Sequence, residues 1–158
     1  MLRIEKKHLD RKQLALLANW MVDHLPDQLT IGITGTLGAG KTTLVQFIAK
    51  AAGINTESVT SPTFTLLQTH HGKIKLHHMD AYRVQDEDEF LELGVEELFE
   101  DHAWTLIEWA DRVEAVMPQD TLWIKIDLTE DQNLRHLSFT NTGSDLDSIL
   151  AKFESQAF

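Results

Sequence analysis

The feature that most constrains this sequence is a glycine-rich segment between two apolar runs. Residues 35–43 read Gly-Thr-Leu-Gly-Ala-Gly-Lys-Thr-Thr and fit the pattern G-x-x-x-x-G-K-[ST]. The preceding run, 29–34, is typical of a short buried strand, and the following run, 44–51, is typical of a helix. Glycines let such a loop turn its N–H groups toward an anion, and the helix N-terminus adds partial positive charge. The sequence therefore predicts a nucleotide-phosphate site at a strand–loop–helix junction.

Two side chains of this loop have the chemistry that a bound nucleotide requires. The Lys41 ammonium would bridge the β- and γ-phosphates, and the Thr42 hydroxyl would ligate Mg²⁺. The expected backbone contacts come from the residues around them, Gly35, Gly38, Ala39, Gly40 and Thr43.

Length and composition predict one domain, residues 1–158, with an ordinary apolar content of 42%. The absence of cysteine excludes both a disulfide framework and a cysteine-based zinc site. The sequence contains no apolar run of membrane-spanning length and no signal core, so a cytoplasmic location is expected and a membrane partner is not.

The charge is strongly acidic, with a formal net charge of −11 and a concentration of acids in residues 86–101. Arginine and lysine are scattered without a basic run, which argues against direct binding of DNA or RNA. The acidic stretch has two interpretations: a solvated helix face, or a docking surface for a basic partner.

The remaining pattern predicts alternating helices and strands. Asp10 and Gln13 form the pattern of a capping box before an amphipathic helix, and the segment at this helix start is a candidate contact for a nucleotide base. Residues 64–69 and 73–79 predict a β-hairpin, which makes a mixed sheet more plausible than a purely parallel one. The region 87–100 predicts a helix broken at Gly94.

The C-terminal third predicts two antiparallel strands, 121–128 and 135–141, followed by a last amphipathic helix. Ser144 and Asp147 have the spacing of a second capping box at the start of that helix.

Two acids, Asp80 and Glu108, each follow an apolar strand directly, where open α/β sheets bind ligands. Either one could supply or orient a second Mg²⁺ ligand beside Thr42. Trp109 could line the nucleotide pocket or a partner surface. Arg83 and Arg112 are the cations nearest in sequence to these strands, and if neither reaches the phosphates, a partner could supply an arginine.

Other polar residues are weaker candidates for the functional site. Thr63 and Thr65 precede a strand and could sense a γ-phosphate, or could simply be turn residues. The pairs His70-His71 and His77-His78 are predicted at surface or edge-strand positions, because adjacent strand residues point to opposite faces and cannot chelate one ion together.

Five segments together resemble one family. They are 35–44, the loop already described; 61–66, Ser-Pro-Thr-Phe-Thr-Leu; 78–83, His-Met-Asp-Ala-Tyr-Arg; 89–94, Glu-Phe-Leu-Glu-Leu-Gly; and 106–109, Leu-Ile-Glu-Trp. In this order they resemble the TsaE (formerly YjeE) family of bacterial P-loop ATPases of tRNA threonylcarbamoyladenosine biosynthesis.

The resemblance implies an α/β fold, a P-loop NTPase-like, mostly parallel mixed sheet of about seven strands flanked by helices. It implies ATP hydrolysis, weak alone, with Mg²⁺ held by Thr42 and Glu108 and with Asp80 assisting hydrolysis. It also implies the TsaD and TsaB proteins as partners, which modify tRNAs reading ANN codons, so that tRNA is met only through the complex.

The main alternative is a small-molecule P-loop kinase. Such a kinase needs a lid with arginines, for which the acidic region 86–101 is poorly suited. A GTP-dependent switch would have an N-K-x-D segment and a transporter cassette an LSGGQ-like signature, and neither is present in this sequence.

Overall fold

The computed structural model describes residues 2–60, 62 and 66–158, which build a seven-stranded sheet with helices on both faces. The strands are β1 Arg3–Leu9, β2 Leu29–Gly35, β3 Leu67–His71, β4 Lys75–Asp80, β5 Trp104–Glu108, β6 Thr121–Leu128 and β7 Arg135–Asn141. The helices are α1 Arg11–His24, α2 Lys41–Ala51, α3 Glu87–Leu91, α4 Val95–Glu100 and α5 Asp147–Ser155, with 3₁₀ segments at Thr56–Ser58 and Ala110–Val116.

The strand order across the sheet is β1-β7-β6-β2-β5-β4-β3. The four strands β6, β2, β5 and β4 are mutually parallel, whereas β1, β7 and β3 join by antiparallel pairing at the two sides. This confirms the predicted mixed sheet. Because the parallel strands share a direction, β2, β4 and β5 bring their carboxyl ends to one edge.

Local sequence signals account for several element boundaries. Asp10 and Gln13 form the predicted capping box at the start of α1. The helical region after β4 is broken at Gly94, whose φ of 79° ends α3 and begins α4. The strand predictions 121–128 and 135–141 match β6 and β7, and the predicted hairpin is formed by β3 and β4. Phe64 and Thr65, predicted to begin that hairpin, lie outside the described residues.

Both faces of the sheet are covered, because strand side chains alternate between two cores. Leu76 and Leu106 pack on the side of α1, α2 and α5. Met79 and Ile107 pack on the other side against Phe90 of α3 and Val95 of α4. The central strands are therefore buried on both faces, as expected for parallel strands in an α/β sheet.

Two sequence predictions are wrong. His77 and His78 lie on the inner strand β4 and are buried, because β3 forms the edge outside them and helices cover both faces. The proposed capping box at Ser144 is not formed: α5 begins at Asp147 after the buried Leu146, and the Asp147 amide donates to the backbone carbonyl of Ser144.

Within the described ranges, no helix has both the length and the apolar character needed to cross a membrane.

Asp101, just after α4, ties that helix to the sheet. Its Oδ2 accepts hydrogen bonds from Lys75 Nζ and His77 Nε2, both at 2.8 Å. The hydrogen bond from Lys75, followed by that from His77, lowers the pKa of Asp101 from 3.8 to about 2.

We expect Asp101→Asn to destabilise the protein in a pH-dependent way. The folded pKa lies below the unfolded one, so the carboxylate stabilises the fold fully above about pH 4, and this contribution disappears as the pH falls toward about 2. Urea unfolding at several pH values should show a stability difference from wild type that is present at neutral pH and shrinks in acid. Glu100→Gln, at the adjacent exposed position, is the control; an equal effect there, or a difference that does not depend on pH, would contradict this assignment.

Candidate nucleotide site

The glycine-rich loop connects β2 to α2, and its glycines adopt conformations that other residues rarely take. Gly35 and Gly40 have φ values of 149° and 107°. A Cβ on Gly35 would lie only 2.6 Å from the backbone oxygen of Ile126, so β6 also excludes a side chain there. Gly40 is the N-cap of α2 and has no side chain to cap the first N–H groups of the helix. The helix N-terminus is thus suited to an anionic ligand.

Lys41, the first residue of α2, is held inside the loop. Its Nζ donates to the carbonyl oxygens of Gly35 at 2.7 Å and Thr36 at 2.9 Å, and it lies 3.9 Å from the centre of the Trp109 ring. Burial lowers the pKa of Lys41, while the charges of Glu108, Asp80 and Asp111 raise it in part. These contacts hold the ammonium beside the turn that would bind the phosphates.

The two strand-end acids lie side by side next to this lysine. Asp80 and Glu108 are register partners in the parallel pair β4–β5, and both are almost completely buried. Thr42 Oγ1 lies 2.8 Å from Glu108 Oε1 and 3.0 Å from Oε2. Asp80 Oδ1 accepts a hydrogen bond from the Tyr82 amide at 2.8 Å, which fixes its carboxylate at the strand end.

This donor set fits Mg²⁺. The cation prefers oxygen ligands and takes one or two from protein, the rest from water and phosphates. Thr42 and Glu108 offer a hydroxyl and a carboxylate in direct contact, and two buried carboxylates near one ammonium favour a further positive charge. Within the described residues, no group of three histidine, aspartate or glutamate side chains is arranged to hold a metal ion by itself.

Trp109 follows Glu108 in a strained conformation. Its φ of 58° places a bulky residue in the left-handed region, and its ring packs 4.9 Å from that of Tyr82. The contact with Tyr82 helps to hold this backbone conformation, in which the indole ring lies over Lys41. Trp109 therefore lines a cavity together with Lys41, and its role in a nucleotide pocket stays a prediction.

Two cavities meet at Gly40 and Thr43. The phosphate-side cavity has a volume of about 420 Å³ and is lined by Leu37, Gly38, Gly40, Lys41, Thr42, Thr43, Asp80, Tyr82, Glu108 and Trp109. The second cavity, about 510 Å³, lies between the start of α1 and the β6–β7 turn, where Asp10, Arg11, Gln132 and Arg135 are among its lining residues together with Ala39. The structure thus brings the glycine-rich loop, Asp80, Glu108 and Trp109 together in one region.

Sequence reasoning missed two residues of this region. Arg135 of β7 donates from Nε to the Ala39 carbonyl at 2.8 Å and so supports the loop from the far side. His78 contacts Glu108 inside the sheet. Arg112, a predicted candidate, lies over the Tyr82 ring at 5.7 Å and is not among the residues that line either cavity. Thr63 and Thr65 lie outside the described residues.

A strand–loop–helix phosphate site with acids at the adjacent strand ends defines a P-loop nucleotide-binding protein of the ATPase type. The profile of the family described as threonylcarbamoyl adenosine biosynthesis protein TsaE matches residues 9–137. The chain belongs to this TsaE family.

Individual relatives agree with this assignment. The tRNA threonylcarbamoyladenosine biosynthesis protein TsaE of Bacillus subtilis is 42% identical over 119 residues, covering 75% of this chain and 72% of that protein. The Haemophilus influenzae protein of the same name is 31% identical over 131 residues, covering 81% and 82%. The crystal structure of Bacillus subtilis YdiB superposes with a TM-score of 0.78 at 27% identity, covering 96% of this chain and 93% of the other.

We expect Lys41→Ala to weaken binding of a magnesium nucleotide roughly 10- to 100-fold, because hydrogen bonds to charged groups contribute roughly 1.5–3 kcal/mol. Calorimetric titration with ADP and Mg²⁺ measures this change. Lys50→Ala, at the exposed far end of the same helix, is the matched control and should bind as wild type does. Unchanged affinity in Lys41→Ala would exclude the loop as the phosphate site.

Proposed function

We propose that this protein binds ATP with Mg²⁺ and hydrolyses it to ADP and phosphate in the cytoplasm. This hydrolysis would serve the threonylcarbamoyladenosine modification of tRNAs that read ANN codons. The observation that carries the proposal is the contact of Thr42 with Glu108 beside Lys41, with Asp80 next to Glu108 in the sheet. Membership of the TsaE family supports the pathway.

Each residue of the site has a role in this reaction. Lys41 leaves the loop carbonyls to donate to the β- and γ-phosphates. Thr42 and Glu108 hold Mg²⁺, which when bound neutralises charge on the phosphates. Asp80 orients the attacking water, whose oxygen bonds to the γ-phosphorus as the bond to ADP breaks, and the proton that the water loses goes to the released phosphate.

The base and ribose would occupy the second cavity. It opens from the loop at Ala39 and Gly40 and runs between the start of α1 and the turn around Gln132. Its volume of about 510 Å³ is in the usual range for a small-molecule site. This placement gives a physical basis for the base contact expected near the first helix.

The site of the isolated chain is short of positive charge. Among the described residues that line the phosphate-side cavity, Lys41 is the one cation. Because phosphoryl transfer depends on neutralising charge in the transition state, turnover by the chain alone should be slow. We propose that the TsaB and TsaD proteins complete the site, and that tRNA is held by them rather than by this acidic chain.

The decisive experiment measures ADP and inorganic phosphate with the chain alone and after adding TsaB and TsaD. Equal amounts of both products and a clear rise with the partners are expected. ADP formation without matching phosphate release would favour the alternative of a small-molecule kinase. Tight tRNA capture by the chain alone in a filter-binding assay would contradict the indirect role of tRNA.

Substitutions of the two carboxylates should change different kinetic parameters. Glu108→Gln removes a charged Mg²⁺ ligand, so we expect the Mg²⁺ concentration for half-maximal turnover to rise about tenfold or more. Asp80→Asn removes the water-orienting group, so kcat should fall by roughly 10²- to 10⁴-fold with nucleotide affinity nearly intact. Steady-state kinetics across an Mg²⁺ series measures both, and exchanged phenotypes would mean exchanged roles.

The acidic region offers a test of partner docking. Glu96, Glu97 and Glu100 of α4 are exposed, and reversing them to lysine should reduce stimulation by TsaB and TsaD while basal turnover stays unchanged. The control reverses three exposed acids elsewhere, Glu5, Asp23 and Glu154, with the same change in net charge. Equal stimulation in both triple variants would assign the α4 surface to solvation instead.

A further inference from the structure

A buried histidine contacts the carboxylate expected to hold the cation. His78 lies on β4 with its side chain on the same face as Asp80, two residues further along the strand. Its Nε2 is 2.5 Å from Glu108 Oε2 across the parallel pair β4–β5. The relative exposure of His78 is 0% and that of the Glu108 side chain is 3%, so water competes little for this bond.

The direction of this hydrogen bond follows from the chemistry of the two groups. An ionised carboxylate only accepts, so the His78 Nε2–H donates. His78 Nδ1 is buried and has no hydrogen-bond partner within the described residues. The bond to Glu108 is therefore the polar contact that fixes the orientation of this ring in the described part of the chain.

Glu108 is held from two sides. Within the described residues its side chain accepts hydrogen bonds from Thr42 Oγ1 and His78 Nε2. A glutamate side chain has several rotatable bonds, and a cation site loses affinity when its carboxylate must be ordered on binding. The histidine occupies one lone-pair direction of Oε2 and leaves Oε1 directed to Thr42 at 2.8 Å.

We propose that His78 is a positioning residue that presents the Glu108 carboxylate to the divalent cation. The proposal rests on the proposed function of Glu108 and Thr42 as cation ligands. It differs from a purely structural role in one measurable respect. Loss of the His78 donor weakens cation affinity, whereas a substitution that only lowers thermal stability does not.

The adjacent residue provides a matched control. His77 is also buried, but its side chain points to the opposite face of β4 and its Nε2 bonds Asp101 Oδ2 at 2.8 Å. His77→Leu therefore removes a buried histidine and its bonds to Asp101 and Thr69 from the same strand, on the face opposite to His78.

The experiment compares His78→Leu, His78→Gln and His77→Leu. Leucine removes the donor, whereas glutamine places an amide near the position of the histidine Nε2. We measure Mn²⁺ affinity by electron paramagnetic resonance in the presence of ADP, the Mg²⁺ concentration for half-maximal ATP turnover with TsaB and TsaD, and thermal stability.

His78→Leu should weaken Mn²⁺ affinity and raise the Mg²⁺ requirement roughly 10- to 100-fold, the usual effect of losing an outer-shell partner. His78→Gln should stay close to wild type, and His77→Leu should lose stability without a change in cation affinity.

Several outcomes would overturn the proposal. One is a change in Mn²⁺ affinity in His78→Leu no larger than in His77→Leu, and another is failure of glutamine to restore affinity. If His78→Leu does not fold, His78→Asn replaces it: its shorter amide cannot reach Glu108, so wild-type affinity in that variant would count equally against the proposal. A wild-type protein that binds Mn²⁺ with ADP but does not turn over ATP would refute the proposed hydrolysis alone, because the Mn²⁺ titration still measures the effect of His78.

Discussion

The structure depends on burying opposite charges at one edge of the sheet. Asp80, Glu108 and Lys41 are all nearly inaccessible to solvent, although charged groups are rarely buried without partners. Parallel pairing of β4 and β5 makes the two acids neighbours, and the loop after β2 brings the lysine to them. Two carboxylates against one ammonium leave this edge negative, and an added cation would remove the imbalance. The fold thus favours a cation at this edge, in agreement with the Mg²⁺ of the proposed function.

Backbone strain is concentrated at the same edge. Two of the three non-glycine residues with positive φ in the described chain are Trp109, directly after Glu108, and Leu66, whose carbonyl accepts from the Asp80 amide. Left-handed backbone costs a bulky residue roughly 1–2 kcal/mol, so such positions persist only where surrounding contacts hold them. Here Leu66 accepts a hydrogen bond from the amide of Asp80, and the Trp109 ring packs on Lys41 of the loop.

Much of this arrangement could be predicted because its signals are local. The loop motif, the Asp10–Gln13 capping box and an acid directly after each apolar strand are all readable within a few residues. The positions of Asp80 and Glu108 followed from strand direction alone, since parallel strands end at the same edge.

The residues that prediction missed depend on strand order, which has no local signal. His78 appeared to be a surface or edge residue because the sequence does not show that β3 folds outside β4. The alternation of His77 and His78 between faces was correct, but both faces turned out to be covered. Arg135 supports the loop at Ala39 only because β7 lies next to β6, which itself lies next to β2.

The distribution of charge also explains why this site would work with partners. The chain has a net charge of −11, which opposes the approach of a nucleotide triphosphate over long range. Lys41 and a bound cation can neutralise the phosphates locally, but Lys41 is already counted in the net charge and a divalent cation would offset only a small part of it. A basic partner seated near the acidic α4 would reduce the field and could add a positive group at the open phosphate side. Residues 81–86 connect Asp80 to α3 by a short segment, so the acidic helices follow the strand-end acid closely in sequence. Under the proposed function, slow turnover by the chain alone would follow from the shortage of positive charge at the site, which a basic partner would relieve.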